Sequence, residues 1–195
     1  FHRRPRFHHK SPVAGLGKEE LARHLIEGTP EKAGHRAVRF RQLVAEGRWA
    51  GAMEILRDVP RDLPVLDRLF LADPEGTLMA DFPQLAGARG QNFAFRDWYK
   101  GVSREWRPFV SPIYKRTTVP SLNVFAVAVP ILKEAGGVAG ILVLQVRLAG
   151  PFFGWTKDID IGAEGVAYIV DQKGQVAFHS KTGAAEIADF SALPV

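Results

Sequence analysis

Along the chain, apolar positions fall first at helical spacing and then at strand spacing. Over residues 16–60 they recur every three or four positions: Leu21, Leu25 and Ile26, then Val38, Leu43, Val44, Met53, Ile55 and Leu56. Within this segment, Thr29-Pro30-Glu31 restarts the pattern with Thr29 as N-cap and Pro30 in the first turn. From about Val65 the period shortens. LFLADPEGTLMADF reads as strand, turn and strand, with Asp73-Pro74-Glu75-Gly76 as the turn. Two continuous apolar runs, Asn123–Leu132 and Gly137–Leu148, make a second hairpin around Ala135-Gly136-Gly137. Their Val, Ile and Leu content predicts a sheet covered on one face by the N-terminal helices.

Between the hairpins lies Phe95–Tyr114, FRDWYKGVSREWRPFVSPIY, reached through a glycine-rich link at Ala86–Gly90. It is too polar for a buried strand and too aromatic for a solvated linker. It reads as a long functional loop that walls a pocket for a small anion.

A second pattern is a repeat. Leu69–Asp81 (LFLADPEGTLMAD) and Ala167–His179 (AYIVDQKGQVAFH) align at an offset of 98, which superposes Asp73 on Asp171 and Gly76 on Gly174. Strand-turn-strand grammar that starts twice predicts two tandem units of similar fold. Both aspartates read as turn residues, since neither turn carries the alternating acids of a calcium loop.

Charge and composition narrow the function. The net charge of +5 belongs to residues 1–60, with 12 Lys/Arg against 7 Asp/Glu, while residues 61–195 carry 14 of each. A neutral body argues against a nucleic-acid-binding surface. The chain has no cysteine, and its six histidines leave residues 36–178 without one. The commonest bases, thiol nucleophiles and transition-metal ligands are thus absent from the body. Ser103 and Ser111 lack a nucleophile elbow, and no phosphate-binding glycine loop occurs. The expectation is a protein that is not an enzyme and takes no cofactor or metal. No run of eighteen apolar residues is present. Beginning at Phe1 without Met and ending inside what reads as an element, the chain is expected to be an excised fragment.

FRDWYKGV, PFVSPIY, VAVPI and GVAGILVLQV, in that order, are similar to the membrane-distal half of a double Cache domain. These domains are the extracytoplasmic PAS-like sensors of bacterial receptors, including chemoreceptors and histidine kinases. The resemblance covers roughly Leu16 to His179, and its RDWY segment is the most specific part. It implies an α+β fold: a long N-terminal helical segment, a PAS-like antiparallel sheet and the start of a second PAS-like unit. The division is a basic flank at 1–15, helices at 16–60, the distal ligand-binding unit at 61–150, and a connector with an incomplete proximal unit at 151–195. It further implies a periplasmic part of an inner-membrane receptor, attached through segments outside this chain, and a homodimer formed through the N-terminal helices.

In the amino-acid-binding branch of that family, positions matching Arg96, Trp98 and Tyr99 hold the ligand carboxylate, and Tyr114 matches a further pocket tyrosine. Three positions depart. Gln91 stands for a tyrosine, Arg116 for an aspartate, and Gln145 for the aspartate that anchors the ligand ammonium. An arginine fork suits a carboxylate, whereas a buried ammonium needs a negative or carbonyl partner. The implied ligand is a small organic acid without an α-ammonium. Other readings of these residues stay open. Arg96 could pair with Asp97 or Glu105 on the surface, and Tyr114 could close the sheet edge. Trp106 and Trp155 read as core or interface rings. The chain could also be a ligand-free dimerisation spacer, or a single-strand nucleic-acid module that uses the aromatic loop.

Overall fold

The computed structural model describes residues 33–63, 65–116, 122–148 and 168–179. The basic flank, the face formed by Leu21, Leu25 and Ile26, the Thr29 cap, the connector with Trp155 and the C-terminal tail lie outside the described residues. The described N-terminal segment is not one long helix. Helix α1 (Ala33–Ala45) ends at Gly47, whose φ of 71° is the left-handed conformation of a helix stop. The Gly47 and Arg48 amides fold back to the carbonyls of Val44 and Leu43 at 3.0 and 2.8 Å, a Schellman closure. Helix α2 (Trp49–Leu56) and the single turn α3 (Val59–Asp62) follow.

All six strands of the sheet pair antiparallel, in the order β2-β1-β6-β5-β3, with β4 also on β5. They are β1 (Leu66–Ala72), β2 (Leu78–Phe82), β3 (Phe109–Val110), β4 (Tyr114–Lys115), β5 (Asn123–Leu132) and β6 (Val138–Arg147). One face packs on α1 and α2. There Phe40, Leu43, Val44, Met53 and Leu56 meet Leu69, Leu71, Val127, Val129, Leu142 and Leu144. Phe40 and Ala37 set the phase of α1, which turns Val38, a predicted core position, outward at 49% exposure. Ile55 is half-buried against the same core.

The opposite face is covered too. Phe95–Tyr114, expected as a loop, contains a nine-residue helix, α4 (Asp97–Glu105). Trp98 and Val102, one turn apart, are its buried residues and lie on Phe70, Ala72, Ala126, Ala128, Ile141 and Val143. Alanines at the contact leave room for the indole. Gly101 permits the close docking, since a Cβ there would stand 2.3 Å from the Phe109 ring. Covering both faces explains why β5 and β6 read as continuous apolar runs. Trp106 closes α4 in the left-handed region and packs half-buried on this core.

The remaining hairpin, β7 (Tyr168–Val170) with β8 (Val176–His179), repeats the turn of the first. Asp73 Oδ1 accepts the amides of Glu75 and Thr77 at 3.1 and 2.7 Å; Asp171 Oδ1 accepts those of Lys173 and Gln175 at 2.8 and 2.9 Å. Gly76 and Gly174 both have positive φ, 87° and 75°. Both aspartates are turn residues, as their spacing predicts.

Candidate functional site

Under α4, the sheet face changes from apolar to polar. A register shift between Leu66 and Arg68 sends Leu66 to the α1 side and puts Arg68 in line with Phe70 on the α4 side. Gln145, two residues from Val143 on β6, stands directly opposite Arg68. Tyr114 and Arg116 reach in from β4 and its end, Phe93 and Arg96 from the segment before α4, and Trp98 from α4 itself. With Phe70 and Leu78 these residues line a cavity of about 20 Å³.

The buried charges are paired at the base of the cavity. Arg68 donates to Asp81 Oδ2 at 2.7 Å, and Arg89 donates to Asp81 Oδ1 at 2.9 Å. Arg116 pairs with Asp67. Arg96 lays its guanidinium over the Tyr114 ring, 5.1 Å from the centroid, and over Phe95 at 5.0 Å. Gln145 Nε2 donates to the Tyr114 hydroxyl oxygen at 2.7 Å. Burial pulls the Arg68 guanidinium below its ordinary value, and Asp81 opposes that pull. Burial also pushes the Tyr114 hydroxyl up, against the Gln145 donor and the guanidiniums of Arg96, Arg68 and Arg116.

Of the seven residues singled out in the sequence, five line this cavity: Arg96, Trp98, Tyr114, Arg116 and Gln145. Two do not. Tyr99 turns the other way, donating its hydroxyl to the Pro74 carbonyl at 2.9 Å and covering Gly76. Gln91 is exposed and donates to the Gly87 carbonyl at 2.7 Å. The Tyr99 ring meets the Trp98 ring edge-on at 5.9 Å and packs on the same core, but its hydroxyl is held at the Pro74 turn, away from the cavity lining. Sequence reasoning missed Arg68 with its partner Asp81, and also Asp67. The available signal was a lone arginine in an apolar strand, in phase with Phe70 and Ala72. Asp97 faces Lys173 at 2.9 Å and Glu105 faces Arg107 at 3.9 Å. Ser111, excluded above as a nucleophile, plugs the gap between β3 and β4, where its Oγ accepts the Ala126 amide at 2.9 Å.

No protein-family model and no curated protein matches the sequence. Solved structures do match in fold. The extracellular domain described as that of histidine kinase rpHK1S-Z16 aligns with a TM-score of 0.61 at 16% identity, over 80% of this chain and 66% of that one. The ligand-binding domain of the Pseudomonas fluorescens chemoreceptor CtaA, solved with L-isoleucine, aligns at 0.55 and 17% identity, over 74% of this chain and 58% of that one. An extracellular ligand-binding receptor from Desulfohalobium retbaense aligns at 0.55 and 16% identity, over 74% of this chain and 27% of that one. The chain therefore corresponds to part of each. At these identities the likeness establishes the fold, and the fold is that of the Cache-type extracellular sensor domains.

Proposed function

We propose that this chain is the extracytoplasmic ligand-sensing part of a bacterial membrane receptor, that it performs no chemistry, and that it binds a small carboxylate between the sheet and α4. The observation that carries the reading is the cavity lining: it holds Arg68, Arg96 and Arg116 and no acidic side chain, the carboxylates of Asp81 and Asp67 that pair with Arg68 and Arg116 not being among the lining residues. CtaA was solved with an amino acid. Here the lining offers an ammonium only neutral oxygens, which supports an acid without an α-amine.

A cavity of about 20 Å³ holds a water and no more. A carboxylate must therefore favour a second arrangement in which the Phe93–Trp98 wall stands off the sheet. That requirement supplies the signal, because a ligand shifts an equilibrium only by its difference in affinity for the two states. Complete switching takes about 5.5 kcal/mol. Next to Tyr114, the Ile113 amide donates to Asp171 Oδ2 at 2.9 Å, and Gln172 donates to the Val110 carbonyl at 3.2 Å. These bonds give the β7–β8 hairpin a direct hold on one wall of the cavity, which suits it to relay the change.

The small volume also favours a second reading, a ligand-free spacer. Titration calorimetry with short mono- and dicarboxylates separates the two. The sensing reading expects binding that Arg96→Ala abolishes while the circular dichroism stays native. Tight binding of an L-amino acid with no binding of organic acids would refute the carboxylate assignment, and no binding of any small molecule would leave the spacer.

A further inference from the structure

Two buried polar atoms among the described residues have no hydrogen-bond partner: Arg68 Nε and Gln145 Oε1. Both belong to residues lining the cavity, which are 4% and 5% exposed. They also come from directly opposed positions of β1 and β6. Buried polar groups are almost always partnered, so two such atoms on residues that line one small cavity point to a group that belongs beside them. One is a donor and the other an acceptor. Gln145 has already committed its amide nitrogen to Tyr114, and Arg68 has committed Nη2 to Asp81.

We infer that the Arg68–Gln145 pair is a hydroxyl subsite and that the ligand is a 2-hydroxycarboxylic acid. The assignment rests on the carboxylate reading above and specifies its ligand. A hydroxyl both donates and accepts, so it answers Gln145 Oε1 and Arg68 Nε together. A 2-oxo group accepts from Arg68 but leaves Gln145 Oε1 unpartnered. An ammonium donates to Gln145 but offers Arg68 no lone pair. A hydrogen at that position satisfies neither atom. Sites built to hydrogen-bond a hydroxyl reject analogues that lack it, because their own buried groups are then left unpaired. The carboxylate goes to Arg96 on the opposite wall, and the volume of about 20 Å³ already present suits the hydroxyl oxygen.

The test is calorimetry on the full 195-residue chain with matched acids. L- and D-lactate are compared with pyruvate, propionate and L-alanine, and malate with oxaloacetate, succinate and L-aspartate. At least one hydroxy acid is expected to bind about tenfold or more tighter than its three counterparts. Gln145→Met should erase that preference while the residual affinity matches that of the deoxy acid. Should this variant fail to fold, the wild-type series decides alone. Hydroxy and deoxy acids binding within about twofold would overturn the hydroxyl subsite, leave the carboxylate reading standing, and assign the two atoms to a water. Preferential binding of the amino acids, or no binding at all, would overturn both.

Discussion

Asp81 is the residue on which the base of the site depends. Its side chain has no solvent exposure and takes three donors: Arg68, Arg89 and the Leu85 amide at 2.7 Å. Removing one partner of a buried ion pair leaves the other charge uncompensated, which costs about 3–5 kcal/mol. Asp81→Asn should therefore lower the unfolding free energy by that amount, read as a lower urea midpoint at unchanged m. A loss below about 1 kcal/mol would mean that Arg68 is neutralised by another group. Arg68 was hard to see in the sequence because its environment is made by strands remote in the chain. A single arginine between leucines looks the same whether its strand edge meets water or a facing glutamine. Arg96 and Trp98, singled out from their local segment, line the cavity, whereas the Tyr99 hydroxyl is tied to Pro74 by a helix that was read as a loop.

At the scale of the element, α4 sets the form of the site. It brings Trp98 down on Phe70, ring centroids 5.5 Å apart at 73°, and carries Tyr99 to the first DxxG turn. Gly101→Ala sets two effects against each other. Helix propensity would favour alanine by about 1 kcal/mol. A Cβ at 2.3 Å from the Phe109 ring would overpack the contact, which costs about 1–3 kcal/mol. The geometry is severe enough for the steric term to win, so thermal unfolding should show net destabilisation, relieved by adding Phe109→Ala. A stabilised single variant would show that α4 docks some other way. The helix escaped notice because its apolar stripe is only Trp98 and Val102, too short to stand out among arginines and glycine.

For the whole molecule, the β7–β8 hairpin is tied to the segment beside the cavity. The second DxxG turn touches the six-stranded sheet and α4 at the Ile113 amide, the Val110 carbonyl and, through Lys173, Asp97 at 2.9 Å. Asp171→Ala removes the bond to Ile113, worth about 1 kcal/mol, and should speed exchange of that amide about fivefold. Carboxylate binding to the native chain should slow exchange in 168–179, and Asp171→Ala should remove that distant protection. Protection that survives the substitution would place the coupling elsewhere. Taken alone, the sequence determined the features governed by local rules: strand and helix periods, the two DxxG turns, and the absence of histidine and cysteine over residues 36–178. Turn chemistry and periodicity act over a few residues, so they are written in the order of the chain. Tertiary structure decided which side chains share a cavity, because register and helix rotation together set the face each one takes. A one-residue step in either moves a side chain to the other side. That is why Tyr99 and Gln91 lie outside the cavity lining, why Arg68 belongs to it, and why two buried unpartnered atoms come from directly opposed positions of β1 and β6.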